Sequence, residues 1–385
     1  MSCSASDQGN SLEGSHPSGS PHLVGLVVTG GDVKEICAAL APEAAPWDKD
    51  VMKVRRVPTG WNNCVFLVEG SDTRFALRVS AMSWPERKHV QELKLLQALP
   101  MLLPSVRLPV VRGHDVEGKA VAQCEVRSLL MDAVDGECMV DVWGAMSNAA
   151  QERALAQMVA VIAALQAVVF PRAGAVDMTS DVVGEANITP AFDNEWMGTP
   201  ARVQQYYEAR LEYMYERSKK SQGMAAMHEA ADEAYRVARE VLARVDLDKG
   251  SRMVLSHGDL AFRNVMVDCK TGELQAVLDW EWGCSAPIEV DLLDGFDDLE
   301  DVSKQARREL LDRLAPHFEA LGESVVHYGN MPNFAVREAL FAVFDQLSPW
   351  DMTTASESEL PAIADRARAG LGSAVARLRE VGLGQ

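Results

Sequence analysis

The sequence predicts an α+β protein of two lobes: a small β-rich lobe at residues 23–131 and a larger, mostly helical lobe at residues 137–385, joined by a hinge at residues 132–136. Three observations predict it. Between residues 50 and 131, short runs rich in β-branched residues are separated by turn signals. After "DAVDGE" the apolar period changes to that of helices. Strand character then returns only briefly, in one hairpin where the polar motifs cluster.

Residues 1–22, "MSCSASDQGNSLEGSHPSGSPH", are rich in Ser and Gly and hold no apolar segment, so they read as a disordered tail and cannot act as a secretory signal. In the small lobe "VMKVRRVPTG" and "NCVFLVEG" flank Gly60, "TRFALRVS" follows a "GSD" turn, and "KAVAQCEVRSLLM" closes an antiparallel set. One helix interrupts the set, "WPERKHVQELKLLQAL", with Pro85 near its start and Leu93, Leu96 and Leu99 on a common face. In the larger lobe, residues 150–169 and 201–219 read as helices, and residues 172–200 as a long polar loop, functional or mobile. Strand character returns at "MVLSHGD", "NVMVDC" and "LQAVLDWEW"; "PNFAVREALFAVFDQL" and "ADRARAGLGSAVARLREVG" are helical.

The charge balance excludes some functions. With 37 basic against 56 acidic residues the net charge is −19, which opposes approach to nucleic acid and to anionic membranes. The most apolar run, residues 154–170, is shorter than the roughly 20 residues a membrane span needs, and Gln157 and Gln166 interrupt it. The seven cysteines are odd in number and never spaced as CxxC, which argues against a disulfide framework or a zinc site and suits a reducing, cytoplasmic setting.

The chemistry concentrates in "LSHGDLAFRNVMVD". Asp259 and Asn264 lie five residues apart, and Asp279 follows fifteen later at the end of "LQAVLD". The span between them reads as strand, turn at Thr271-Gly272, and strand, so Asn264 and Asp279 are expected side by side. One carboxylate and one amide oxygen converging there suit Mg²⁺, which takes hard oxygen ligands and keeps water and phosphate oxygens in its shell. Asp259 is then free to accept a proton from an incoming hydroxyl, the division of labour used in phosphoryl transfer. A single HxD is common in turns; the three residues at these spacings carry the argument.

"HGDLAFRNVMVD" followed by "AVLDWEWGCSAPIEVDL" closely resembles the aminoglycoside phosphotransferase and choline kinase family, the small-molecule branch of the protein-kinase-like fold. The resemblance implies a bilobal protein-kinase-like fold and an enzyme that transfers phosphate from ATP, with Mg²⁺, to a small-molecule hydroxyl. It implies that Asp259 is the catalytic base or hydroxyl-orienting residue and that Asn264 and Asp279 are the magnesium ligands. Asp291 would brace the catalytic loop from a buried position, and His257 would help hold that loop.

The same resemblance assigns a nucleotide site in the small lobe. "PTGWNNCVF" would place Gly60, Asn62 and Asn63 over phosphates, with one glycine where protein kinases use three. Arg78 stands where the fold puts its phosphate-binding lysine, and Glu92 is its expected partner, with Glu86 as a competitor. Met131 would border the adenine, with the Asp132 carbonyl and the Val134 N–H on its edge. In one place the pattern departs: family members often carry a histidine near the end of the first large-lobe helix, where this chain has Gln166.

On the acceptor side, Glu289 to Asp301 holds seven acidic residues and no basic one, and Glu281 and Trp282 follow Asp279 closely. A carboxylate and an aromatic face both suit a cation. An amino sugar, an amino alcohol or choline is compatible, and so are neutral sugars and other hydroxylated metabolites. A second reading, a nucleotide-binding pseudokinase acting as a scaffold, draws on Arg78 and the single-glycine loop. A protein kinase is disfavoured by "LDWE" in place of DFG and by the missing activation segment. The oligomeric state is open.

Overall fold

The computed structural model describes residues 26–44, 47, 52–57, 63–121, 124–177, 187–189, 198–220, 222–293, 304–322, 324–349, 352 and 355–384. The tail expected at residues 1–22 lies outside them, as do Gly60, Asn62 and residues 294–301 of the acidic run. Residue contacts divide the chain into a β-rich unit, residues 1–97 and 109–134, and a helical unit, residues 98–108 and 135–385.

The β-rich unit begins with helix α1 (Gly30–Leu40), a helix beyond the one read from the sequence. Thr29 and Asp32 form a capping box: the Asp32 N–H donates to Thr29 Oγ1 at 3.2 Å, and the Thr29 N–H donates to Asp32 Oδ2 at 2.8 Å. Strands β1 (Lys53–Val57), β2 (Cys64–Glu69) and β3 (Arg74–Ala81) form a meander. Helix α2 (Glu86–Leu102) follows, then β4 (Val111–Asp115) and β5 (Val126–Asp132). The sheet order is β1-β2-β3-β5-β4, all antiparallel. Strict alternation of burial along β2 shows why "CVFLVE" reads as a strand with one face in the core. Phe66, Val68, Phe75, Leu77 and Leu130 of the sheet pack with Val33, Ile36 and Cys37 of α1. Leu93, Leu96 and Leu99 of α2 are buried, as their spacing predicts.

Among its described residues the helical unit carries three small sheets. Strand β6 (Glu137–Cys138) leads into α3 (Met139–Val142) and the long α4 (Asn148–Ala167), whose Ser147 side chain caps the Ala150 N–H at 3.2 Å. The stretch expected as a long loop contains a two-stranded ladder, β7 (Ala175–Asp177) on β8 (Asn187–Thr189). Helices α5 (Val203–Lys220) and α6 (His228–Leu242) pack together. Ala231, Ala234, Ala238 and Val241 give α6 a buried stripe at helical spacing. Strands β9 (Met253–Ser256), β10 (Val265–Val267), β11 (Leu274–Val277) and β12 (Cys284–Pro287) come next. Helices α7 (Val290–Leu293), α8 (Lys304–Ala320), α9 (Phe334–Leu347) and α10 (Leu360–Gly382) follow. Among these, α10 packs on both α9 and α6.

Gln166, at the position where the resemblance expects histidine, is buried in α4. Its Nε2 donates to the Val326 carbonyl at 2.7 Å, and its Oε1 accepts from the Val326 N–H at 2.9 Å. Both ends of the amide are satisfied, so the departure is a structural tie.

Two ladders nest around the polar motif. Strand β9 pairs antiparallel with β12, Ser256 opposite Cys284, while β10 pairs with β11, Val265 opposite Val277. The segment 257–264 joins β9 to β10, and 278–283 joins β11 to β12. Because each segment is clamped at both ends by the same two ladders, the two must lie side by side. Strand β6 adds a third strand to the inner ladder, with Cys138 opposite Met266. The sequence alone predicts only the β10–β11 hairpin.

Candidate active site

The candidate residues His257, Asp259, Asn264, Asp279, Glu281 and Trp282 all sit on the two clamped segments. Asn264 ends a single 3₁₀ turn, Phe262–Asn264, and its carbonyl accepts from the Leu278 N–H at 2.8 Å, which sets Asp279 next to it across the ladder. Asn264 Nδ2 donates to the Asp259 carbonyl at 2.8 Å and to Asp259 Oδ2 at 2.9 Å. Its amide oxygen is therefore the atom it can offer to a cation. Asp279 has φ 62° and ψ 63°, a left-handed conformation shared by one other non-glycine residue, Asn333, among those described. Such a backbone costs roughly 1–3 kcal/mol and persists where the surroundings over-determine it, often at functional sites.

Asp259 is the electrostatic centre of this group. Burial pushes its carboxyl up to about 7; the charges of Asp279 and Glu281 add to the rise, while Arg263 and the Asn264 hydrogen bond oppose it. Arg263 Nη2 donates to Asp259 Oδ1 in an ion pair. Asp259 thus feels two further carboxylates as well as the guanidinium paired with it, a negative surplus on this carboxylate that a divalent cation would relieve.

The loop that carries Asp259 is held by main-chain bonds to one buried carboxylate. Asp291 Oδ1 accepts from Ser256 Oγ at 2.9 Å and from the Gly258 N–H at 3.0 Å, and Oδ2 accepts from the His257 N–H at 3.1 Å. His257 Nε2 donates to the Leu278 carbonyl at 2.8 Å and Nδ1 accepts from the Asp259 N–H at 3.3 Å, so one ring ties both clamped segments together. Burial pushes that imidazole down to about 4, so it stays neutral. Trp280, which is fully buried, packs on the ring at 4.5 Å. Gly258 is required here twice over. Its φ is +76°, and an added Cβ would stand 2.5 Å from the Trp282 carbonyl oxygen.

Glu281 is 2 % exposed and Trp282 is partly buried. The first member of the acidic run, Glu289, is wholly buried. It is paired with Arg337 and accepts from Tyr207 Oη at 2.9 Å and Ser251 Oγ at 2.6 Å. Glu289 and Asp291 are therefore committed to the interior, and neither lines an acceptor surface.

In the β-rich unit, Arg78 on β3 and Glu92 on α2 are both buried and form an ion pair, Arg78 Nη1 donating to Glu92 Oε1 at 2.8 Å. Glu86 instead faces Arg127 at 3.5 Å. His89, one helical turn before Glu92, is buried beside them. Its imidazole is pushed down to about 4 by burial first, with the Arg78 charge adding to it. Asn63 is buried just before β2, where its Oδ1 accepts from Ser80 Oγ at 2.5 Å. Met131 and Asp132 end β5, with Val134 two residues beyond; the Asp132 carboxylate holds Arg112 in a two-bond pair at 2.6 and 2.7 Å. Sequence reasoning missed Arg263, Ser256, Gly258 and Arg337. The signal available for Arg263 was an arginine four residues after Asp259, inside the quoted motif.

A β-rich unit and a helical unit with these nested ladders make the frame of the protein-kinase-like small-molecule kinases. The chain belongs to the phosphotransferase enzyme family, whose pattern it matches over residues 53–325. It is an enzyme, a small-molecule kinase. Solved structures of similar fold include a Ralstonia eutropha JMP134 protein whose proposed activity is that of an aminoglycoside phosphotransferase (TM-score 0.55, 15% identity, covering 90% of this chain and 97% of that one). A microcompartment-associated aminopropanol kinase is similar at TM-score 0.53 and 15% identity, covering 91% and 97%. The streptomycin–ATP ternary complex of APH(2″)-IIa is similar at TM-score 0.50 and 13% identity, covering 86% and 94%. No curated protein matches the sequence significantly. Among the described residues no helix is long and apolar enough to cross a membrane.

Proposed function

We propose that the protein is an ATP- and Mg²⁺-dependent phosphotransferase acting on the hydroxyl of a small molecule, placed in the cytoplasm. The observation that carries this reading is the juxtaposition of Asp259, Asn264 and the left-handed Asp279 on two segments clamped by nested ladders. In the helical unit, Asp259 receives the acceptor hydroxyl and orients it, while Asn264 Oδ1 and the Asp279 carboxylate hold the metal. Among the described residues no cluster of three or more His, Cys, Asp or Glu side chains is placed to hold a metal by itself. Two protein oxygens suit Mg²⁺, which fills its shell with water and phosphate oxygens and, when bound, neutralises charge on the transferring group.

In the β-rich unit, Arg78 offers its fixed charge to nucleotide phosphates and Glu92 holds it in place. The Asp132 carbonyl and Val134 N–H take the adenine edge, Met131 borders the ring, and the phosphates fall to Gly60, Asn62 and Asn63, of which Gly60 and Asn62 lie outside the described residues. Support for ATP comes from the relatives, one of them a complex with ATP. The scaffold reading draws on Arg78, but that residue is engaged with Glu92 in a buried pair. A cationic acceptor draws on the acidic run and, beside it, on Glu281 and Trp282; Glu289 and Asp291 of the run are committed to the interior, and residues 294–301 lie outside the described residues. None of the six described cysteines is in a disulfide, which suits the reducing compartment.

Incubation of the protein with ATP, Mg²⁺ and a library of sugars, polyols, hydroxy acids and amino alcohols, followed by ³¹P NMR, tests the proposal. A phosphomonoester resonance should grow with ADP in the presence of an acceptor and of Mg²⁺. ATP left intact across the library, or consumed only to free phosphate, would contradict it.

A further inference from the structure

With Asp259 as the hydroxyl-orienting carboxylate, the reading on which the role of Arg263 rests, the groups around that carboxylate decide which acceptors can reach it. Both of its oxygens already have donors: Arg263 Nη2 on Oδ1 and Asn264 Nδ2 on Oδ2. The two sides differ in access. Asn264 is 7 % exposed, whereas the Arg263 side chain is 47 % exposed. The more exposed side of the carboxylate is thus the side where the Arg263 guanidinium sits. The carboxylates of Asp279 and Glu281, which also act on Asp259, lie on the other segment, and Glu281 is closed to solvent.

An ammonium next to the reacting hydroxyl would be brought up against that guanidinium and repelled by it. A hydroxyl or carboxylate in the same place would instead accept a hydrogen bond from it, since a guanidinium is a pure donor with several N–H groups in a planar fork. We propose that Arg263 is a specificity-determining residue that sets the charge of the acceptor. The phosphorylated hydroxyl is flanked by an oxygen function, as in a polyol or a hydroxy acid, and not by an ammonium.

The test compares acceptors matched in carbon skeleton, polyols and hydroxy acids against amino alcohols and amino sugars. Transfer from ATP is measured by the wild-type chain, Arg263→Ala and Arg263→Lys. Wild type should favour oxygen-flanked acceptors by about tenfold or more in kcat/KM. Arg263→Ala should erase most of that preference, chiefly through acceptor KM, and Arg263→Lys, which keeps the charge, should retain its direction. A wild-type preference for ammonium-flanked acceptors, or a preference unchanged in Arg263→Ala, overturns the charge assignment while leaving the phosphotransferase reading intact. Transfer to no member of the panel overturns both.

Discussion

Asp259→Ala should lower kcat by roughly 10²–10⁴-fold, the range for losing a positioned acid–base group, while leaving AMP-PNP affinity within a few-fold. The separation is expected because the substitution leaves the nucleotide contacts proposed for the β-rich unit untouched. It also spares part of the local frame: Asn264 keeps its 2.8 Å bond to the Asp259 carbonyl, and Asp291 keeps the N–H groups of His257 and Gly258. Asp259→Asn is the closer isostere and should be nearly as inactive, because an amide cannot take a proton from a hydroxyl. Steady-state kinetics on both variants check this. Turnover within about tenfold of wild type in Asp259→Ala would remove Asp259 from the reaction.

The second large effect concerns stability. Arg337 and Glu289 are each 0 % exposed and paired, and Glu289 stands two residues before the loop-bracing Asp291. Arg337 also donates through Nη2 to the Leu247 carbonyl at 2.7 Å and through Nε to the Pro332 carbonyl at 3.2 Å, so one guanidinium joins α9 to the segment before β9. Arg337→Met leaves the Glu289 carboxylate buried with only two hydroxyl donors, from Tyr207 and Ser251. Breaking a buried pair by removing one partner typically costs about 3–5 kcal/mol. The Arg337→Met/Glu289→Gln double variant should recover part of that loss, because the stranded charge is gone. Urea denaturation measures both. A loss under about 1 kcal/mol in the single variant would mean that the pair is not the anchor the geometry suggests.

The parts of the fold that could be read from sequence are those with a local period. The alternation in "CVFLVE" and "RFALRVSA" marked β2 and β3, and the spacing of Leu93, Leu96 and Leu99 marked α2. The carboxylate–amide–carboxylate spacing was also legible, since a single hairpin turn is enough to juxtapose Asn264 and Asp279. What escaped were pairings made across long stretches of chain. Strand β12 is four residues long and uniformly buried, so it shows no alternation, and its partner β9 lies some thirty residues earlier. Strand β4 is interrupted by an irregularity between Val111 and Gly113 and carries a glycine and a histidine, which hide its period. Glu289 reads as one more acid in a charged run because its partner is 48 residues away. The left-handed backbone of Asp279 has no signature in residue type, for aspartate is ordinary in every region of a loop.

The central proposal is that the nested ladders set Asn264 and Asp279 together as a two-oxygen Mg²⁺ site beside Asp259, the carboxylate proposed to receive the acceptor. Calorimetric titration of AMP-PNP into wild type, Asn264→Ala and Asp279→Ala, with and without Mg²⁺, tests that claim most directly. Mg²⁺ should tighten binding to wild type by about tenfold or more, and most of that gain should vanish in each variant. The same Mg²⁺-dependent gain in all three proteins would contradict the assignment of the site.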